Sequence, residues 1–257
     1  MAPTKGFSLL SLRVRLGAAG IHLGLSAAVV GALALLMWLL WYPPPYFFAD
    51  GGWRVLHVII WVDVVLGPLL TLIVFDRAKP ELNRDLAIIV ALQCAALAYG
   101  AATMYLHRPV FLAASGSNLF TVNWRDLEKA GGDLAPARAL AAAGSTPLLV
   151  RLELPSSPVE REKLWTDAAR GGIPPIHQAA RYRAASPQWI ATFLGAGADV
   201  EALAKTDAGI AAEFASVQAR HPGIPRARMA FVPLTCRFDV VMLVFDRQTG
   251  KLIDWME

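Results

Sequence analysis

The stretch Trp53–Phe75, WRVLHVIIWVDVVLGPLLTLIVF, decides how this chain is read, because a long apolar run carries one acid, Asp63, near its middle. As a helix these 23 residues extend about 34 Å at ~1.5 Å per residue, enough to cross a hydrocarbon layer of ~30 Å with modest tilt. Four positions after Asp63 comes the helix-disturbing pair Gly67-Pro68. The stretch is a membrane helix with two irregularities in it.

Two further segments qualify as spans. The first is Gly20–Leu40, GIHLGLSAAVVGALALLMWLL, and the third is Leu86–Tyr105, LAIIVALQCAALAYGAATMY, each with aromatic rings at an end, where rings favour the headgroup layer. A cleaved signal peptide is the alternative for the first, since Arg13 and Arg15 precede it. The run is too long for that, and Trp38, Trp41, Tyr42 and three prolines stand where small residues would mark a cleavage site. It is expected to remain as an anchor.

Orientation follows from the cations. Lys5, Arg13 and Arg15 precede the first span, and Arg77, Lys79 and Arg84 fill the loop between the second and third. The loop Tyr42–Gly52 has no Lys or Arg, leaving only Arg54 and Arg108 on the other side. The positive-inside rule then places the N-terminus in the cytoplasm and everything after Tyr105 outside.

Composition divides the chain the same way, into a membrane domain over residues 1–108 and an extracytoplasmic domain over 109–257. Mean hydropathy is +0.46 and 56% of residues are hydrophobic, above the usual soluble range. The tail from Pro109 carries 16 Lys or Arg against 15 Asp or Glu. The pI of 9.3 therefore reflects membrane topology, and nucleic acid is not an expected partner. Cys94 falls in the third span and Cys236 in the outer domain, a separation that argues against a disulfide.

In the outer domain, Val110–Trp124 reads as two apolar runs around Ser115-Gly116-Ser117-Asn118, a hairpin signal, and Pro147–Leu154 as another strand. Ser157, Pro158 and Glu160 form a capping box that opens a helix over Pro158–Arg170. Ser186-Pro187 repeats the start signal, and Asp199 opens a long helical pattern closed by His221-Pro222-Gly223. Arg228–Cys236, Phe238–Asp246 and Lys251–Met256 return to strand, and the unbroken apolar run Val240–Phe245 suggests burial on both faces. The expected fold is three transmembrane helices followed by an α+β domain with an antiparallel sheet.

Asp63 is the leading site candidate, since a carboxyl at mid-bilayer costs about 3 kcal/mol on insertion scales. It serves a partner's membrane helix or a proton path, or else it is a protonated acid held by Tyr99, at similar depth, or by polar groups at a helix end. Gly67-Pro68 marks a kink or a close helix contact. His22 and Gln93 are expected to find partners inside the bundle. Trp41, Tyr42 and Pro43 begin an aromatic and proline-rich loop that is an interfacial belt or a docking ledge.

Enzymatic motifs do not appear. The histidines His22, His57, His107, His177 and His221 lack metal-ligand spacing, and there is no HExxH, GxSxG, CxxC or P-loop. Gly195-Ala196-Gly197 lacks the third glycine and preceding strand of a dinucleotide loop, and Asp239, Asp246 and Asp254 read as turn residues. No catalytic residue, metal or cofactor is expected.

Four segments together resemble the TfpX/TfpZ family of type IV pilin accessory proteins: WYPPPYFFADGGW (41–53), DVVLGPLLTLIVF (63–75), QCAALAYGAATMYLHRPVF (93–111) and MAFVPLTCRFDVVMLVFDRQTGKLID (229–254). The similarity is strongest over residues 41–111 and 229–254. The chain departs from the pattern at Ser117-Asn118-Leu119-Phe120, where an Asp-Arg-Phe-like turn would be expected. The resemblance implies a non-enzymatic protein of the bacterial inner membrane, chaperone-like, that serves a particular type IV pilin.

On that implication the helices hold the pilin's membrane helix through Gly67, Pro68 and Asp63, while the outer domain recognises its head; the pilus assembly machinery is a further candidate partner. The reading that competes with it is a membrane sensor whose outer domain binds a ligand. A small transporter ranks third, because one acid in three helices is thin machinery for transport.

Overall fold

The computed structural model describes residues 9–144 and 147–256. Lys5, which entered the orientation argument, lies outside the described residues. The chain divides into two compact units, Met1–Tyr105 and Leu106–Glu257.

The first unit is helical. Helix α1 (Leu9–Leu36) continues into a π-helical turn, Met37–Trp41, and a cis Pro44–Pro45 bond precedes the short helix α2 (Tyr46–Ala49). The second span is one helical rod made of α3 (Gly52–Ile60), a π-helical stretch Trp61–Leu66 and α4 (Gly67–Val74). The third is α5 (Leu82–His107). All three are long and apolar enough to cross a membrane. In the first span only 11% of the most apolar window is buried, so its Leu, Ile and Val side chains look outward, a surface suited to lipid and far too large for water. At the end opposite Tyr42, Arg15 donates to the Ile73 carbonyl at 3.3 Å and pairs with Asp76 at 3.5 Å.

The second unit is built on a seven-stranded sheet. Strands β1 (Phe111–Ser115) and β2 (Asn118–Val122) form the expected hairpin, followed by helices α6 (Trp124–Ala130) and α7 (Ala135–Ala143) and strand β3 (Leu148–Leu152). Then come α8 (Pro158–Ala169), the short strand β4 (Tyr182–Ala184), and helices α9 (Pro187–Gly195), α10 (Val200–Ala204) and α11 (Ala208–Arg220). The chain closes with β5 (Met229–Thr235), β6 (Val240–Asp246) and β7 (Leu252–Met256).

Strand order is β4-β3-β1-β2-β5-β6-β7. The sheet is mixed, a correction to the antiparallel expectation: β1 runs parallel to β3, and β2 parallel to β5. Hairpin turns identify the antiparallel pairs β1/β2, β5/β6 and β6/β7. The two parallel pairs join strands far apart in the chain, and β3/β4, separated by α8, is antiparallel, so no local turn announces any of the three. The β2/β5 ladder is two pairs long and begins after Pro233, whose ring has no N–H to give.

Helix caps follow the sequence signals. Ser157 accepts from the Glu160 N–H and Ser186 from the Trp189 N–H. The long helical pattern from Asp199 is split, because Asp207 caps a new helix through the N–H groups of Gly209 and Ile210. Strand β6 is buried on both faces from Leu243 to Asp246; in its near half Val241 is buried while Val240 is 58% exposed, so there only one face is covered.

Two apolar clusters brace the sheet. One centres on Phe111 of β1, set edge-to-face with Trp124 and Tyr182 at 5.5 and 5.2 Å. The other centres on Phe231 of β5, packed with Phe214 at 5.6 Å and covered by the Arg226 guanidinium at 4.9 Å. Full burial of such a ring contributes about 1.5–3 kcal/mol.

A charge pair joins β6 to the start of β5. Arg228 donates to both Asp246 oxygens, at 3.2 and 2.5 Å, and the Gln248 N–H adds a third bond at 2.9 Å. The Arg228 guanidinium foremost, then the Gln248 N–H, holds the Asp246 carboxyl below the usual carboxylate range. A depressed folded value means stability that is present above the unfolded value near 4 and lost as pH falls through the folded one. Thermal unfolding of the full chain should therefore show Asp246→Asn destabilising by a constant amount from pH 7 to 5, with the gap to wild type closing below pH ~4. A gap already closed at pH 6 would contradict this assignment.

Candidate functional site

The expected site residues fall within the helical unit, and the π-helical stretch Trp61–Leu66 organises them. In a π register each carbonyl looks to the N–H five residues ahead. For Asp63 that residue is Pro68, which has no N–H. Gln93 of α5 supplies the missing donor: its Nε2 donates to the Asp63 carbonyl oxygen at 3.2 Å. The amide lies directly over Gly67, where an added Cβ would stand 2.0 Å from Nε2. Gly67 therefore serves a contact inside this unit, and the face it offers is already filled. Pro68 is buried beside it.

Toward the Tyr42 end, α5 is fastened again. Gly100 lies so close to Ile59 that a Cβ would meet it at 2.8 Å. Tyr42 is 1% exposed and its hydroxyl donates to the Met104 carbonyl at 3.0 Å. Trp41 packs edge-to-face on Tyr105 at 5.3 Å, and Pro43 is half-buried. Tyr42 is thus a tie between spans, with no ring surface to offer a ledge. Trp38, Phe48 and Trp53 do face outward, joined edge-to-face or tilted at 6.0 and 6.5 Å.

Tyr99 is 77% exposed, on an outward face of α5, and does not hold Asp63. Asp63 is 5% exposed, and its Oδ2 is buried with no hydrogen-bond partner among the described residues. Leaving a buried acceptor unsatisfied costs about 1–3 kcal/mol. The other polar groups nearby are served: His22 Nδ1 and Thr71 Oγ1 are 2.6 Å apart, joining α1 to α4.

Asp63 and Thr71 lie in a cleft of about 680 Å³ lined by all three spans. From α1 come Gly17, Ala18, His22 and Ser26, and from α5 come Val90, Gln93, Cys94 and Leu97. Both sets recur every three or four residues, so each is one continuous helix face. The sequence carried that signal in Val14, Gly17, Ile21, Leu25 and Val29, but every residue of an apolar span looks alike without knowledge of its neighbours. The Arg77 end of the cleft carries the only cation among its lining residues. No cluster of three or more His, Cys, Asp or Glu suited to a metal occurs among the described residues, and both cysteines are free.

The Gly67 contact is testable in a double-mutant cycle on the purified full chain. Gly67→Ala alone should destabilise the helical unit by about 1–2 kcal/mol, by expelling the Gln93 amide and orphaning a buried carbonyl. In a Gln93→Ala background the same change should cost a few tenths of that or nothing. Equal costs in both backgrounds would contradict the contact.

Comparison with known proteins adds a family. Residues 10–51 match the model of fimbrial assembly protein FimB. Three proteins of Dichelobacter nodosus are similar over 93 residues, or 35% of this chain: the fimbrial assembly proteins of serogroup I, 40% identical, of serogroups C1 and C2, 40% identical, and of serogroup E1, 41% identical. The match spans 36% of the length of the serogroup I and E1 proteins and 71% of the serogroups C1 and C2 protein. No solved structure matches the chain. At 40% identity across 71% of the serogroups C1 and C2 protein, the chain belongs to the fimbrial assembly protein family.

Proposed function

We propose that this chain is an inner-membrane accessory protein of the TfpX/TfpZ kind, chaperone-like and non-enzymatic, which binds a type IV pilin subunit and supports its stability or its assembly into pili. The observation that carries the reading is the combination of fimbrial assembly relatives with three membrane-length helices around a cleft that holds an unsatisfied acid. A protein that waits in the membrane beside its client needs such a surface. The Lys and Arg distribution supports a cytoplasmic N-terminus with the mixed-sheet unit outside.

The sensor reading draws less support. The concavity of about 370 Å³ in the second unit is lined by Arg181, Arg183, Gln178 and Glu153. Its cations are already engaged: Arg181 donates to Gln178 and to the Glu153 carbonyl, and Arg183 pairs with the Glu153 carboxylate. A charged ligand would have to break these bonds to enter.

Deleting the gene in its native host should lower the pilin level and abolish surface pili, with both restored by the full chain. Normal pili and an unchanged pilin level would overturn the role. For the orientation, an impermeant thiol reagent applied to spheroplasts of a Cys94→Ser, Cys236→Ala variant should label Ser117→Cys and leave Lys79→Cys unlabelled. The reverse pattern would invert the topology.

A further inference from the structure

Resting on the accessory role just proposed, we infer that the cleft between α1 and α5 seats one membrane-spanning helix of the fimbrial subunit, and that this helix brings a hydrogen-bond donor to Asp63. The cleft has the shape of a helix. Along α1 the cleft runs from Val14 to Val30, about 24 Å of helix, and along α5 from Leu86 to Leu97, about 16 Å. That length covers most of a hydrocarbon layer of ~30 Å, so the occupant lies along the bilayer normal.

The lining of the cleft is low enough to let a helix in. Gly17 and Ala18 make α1 low on this side, and a Cβ built on Gly17 would meet nothing within 4 Å. Small residues on one face are what permit two helix backbones to approach closely in lipid, where association depends on packing and polar contacts. Gly52, Gly67 and Gly100 are already packed against neighbours inside the unit. Gly17, like Gly20, Gly24 and Gly31 of α1, is open, and of these Gly17 is the one that lines the cleft.

Asp63 separates a protein helix from lipid. Asp63 Oδ2 is buried at the cleft with no hydrogen-bond partner among the described residues, between His22, which is committed to Thr71, and Gln93, whose amide bonds the Asp63 carbonyl and also reaches the carboxyl, leaving Oδ2 unserved. An acyl chain has no donor and would leave the oxygen as it is. A helix carrying an ammonium, amide or hydroxyl group at that depth would satisfy it. Polar groups inside a membrane are retained where they meet such a partner.

Photocrosslinking in native cells tests this with the full chain. Benzoylphenylalanine would replace Ser26 or Val90 in the cleft, and Val58 or Ile73 on outward faces, with the adducts identified by mass spectrometry. The expected result is the fimbrial subunit trapped at Ser26 and Val90 at least tenfold more than at Val58 and Ile73. Asp63→Leu should cut the cleft adduct at least fivefold, while Asp63→Asn, which keeps an acceptor, should retain most of it. Gly17→Leu, which fills the cleft without touching Asp63 and has open space for its side chain, should abolish it while the protein's melting temperature stays the same.

Equal trapping on all faces, lipid adducts alone at the cleft, a second copy of this chain there, or a yield indifferent to both Gly17→Leu and Asp63→Leu would each overturn the inference. Failure of the cleft differs from failure of the accessory role. If the subunit still co-isolates with the tagged full chain but is never trapped at Ser26 or Val90, the cleft is wrong and the role stands. If it neither co-isolates nor falls in level on deletion, the role itself is wrong.

Discussion

A proline in the second span leaves one carbonyl without its helical donor, and the hydrogen bond from Gln93 to that Asp63 carbonyl is the constraint on which the helical unit depends. Pro68 imposes the π-helical stretch, the stretch turns Asp63 inward, and the free carbonyl recruits the third span. Gly67 must lack a side chain for the amide to arrive. With α5 tied there and again at Gly100 and Tyr42, and α1 tied to α4 through His22 and Thr71, a cleft is left between α1 and α5. Its unsatisfied acid is a consequence of the same turn.

Membrane helices hide no apolar surface from one another when lipid is equally apolar. Their arrangement therefore rests on a few polar and close-packed contacts, and these are the ones seen here. The second unit works by the other rule, with Phe111 and Phe231 at the centres of two water-excluding clusters on one sheet. Between β2 and β5 the chain makes a long excursion that holds helices α6 to α11 and also lays down β3 and β4 at one side of the sheet.

The elements announced by local chemistry were legible in the sequence. Ser157 and Ser186 cap helices, Gly116-Ser117 turns a hairpin, and apolar length marks the three spans. Parallel pairing was not legible, because β1/β3 and β2/β5 join residues whose registry depends on everything folded between them. Helices α6 and α7 and strand β4 were missed, since short, alanine-rich or three-residue elements carry little periodic signal. At the site, Asp63, Gly67 and Pro68 were found as oddities in an apolar run. Their partner Gln93, and the exposure of Tyr99, depend on how the helices rotate against one another, which no single span records.

A fimbrial-subunit helix seated in the cleft beside Asp63 would be directly visible. A cryo-EM map of the full chain isolated from its native host in lipid nanodiscs, with its subunit retained, tests this most directly. The account predicts one added helix lying along α1 from Val14 to Val30, with a side-chain or main-chain donor within hydrogen-bond distance of Asp63 Oδ2. A subunit bound elsewhere, with lipid density filling the cleft and Asp63 still unpartnered, would contradict it.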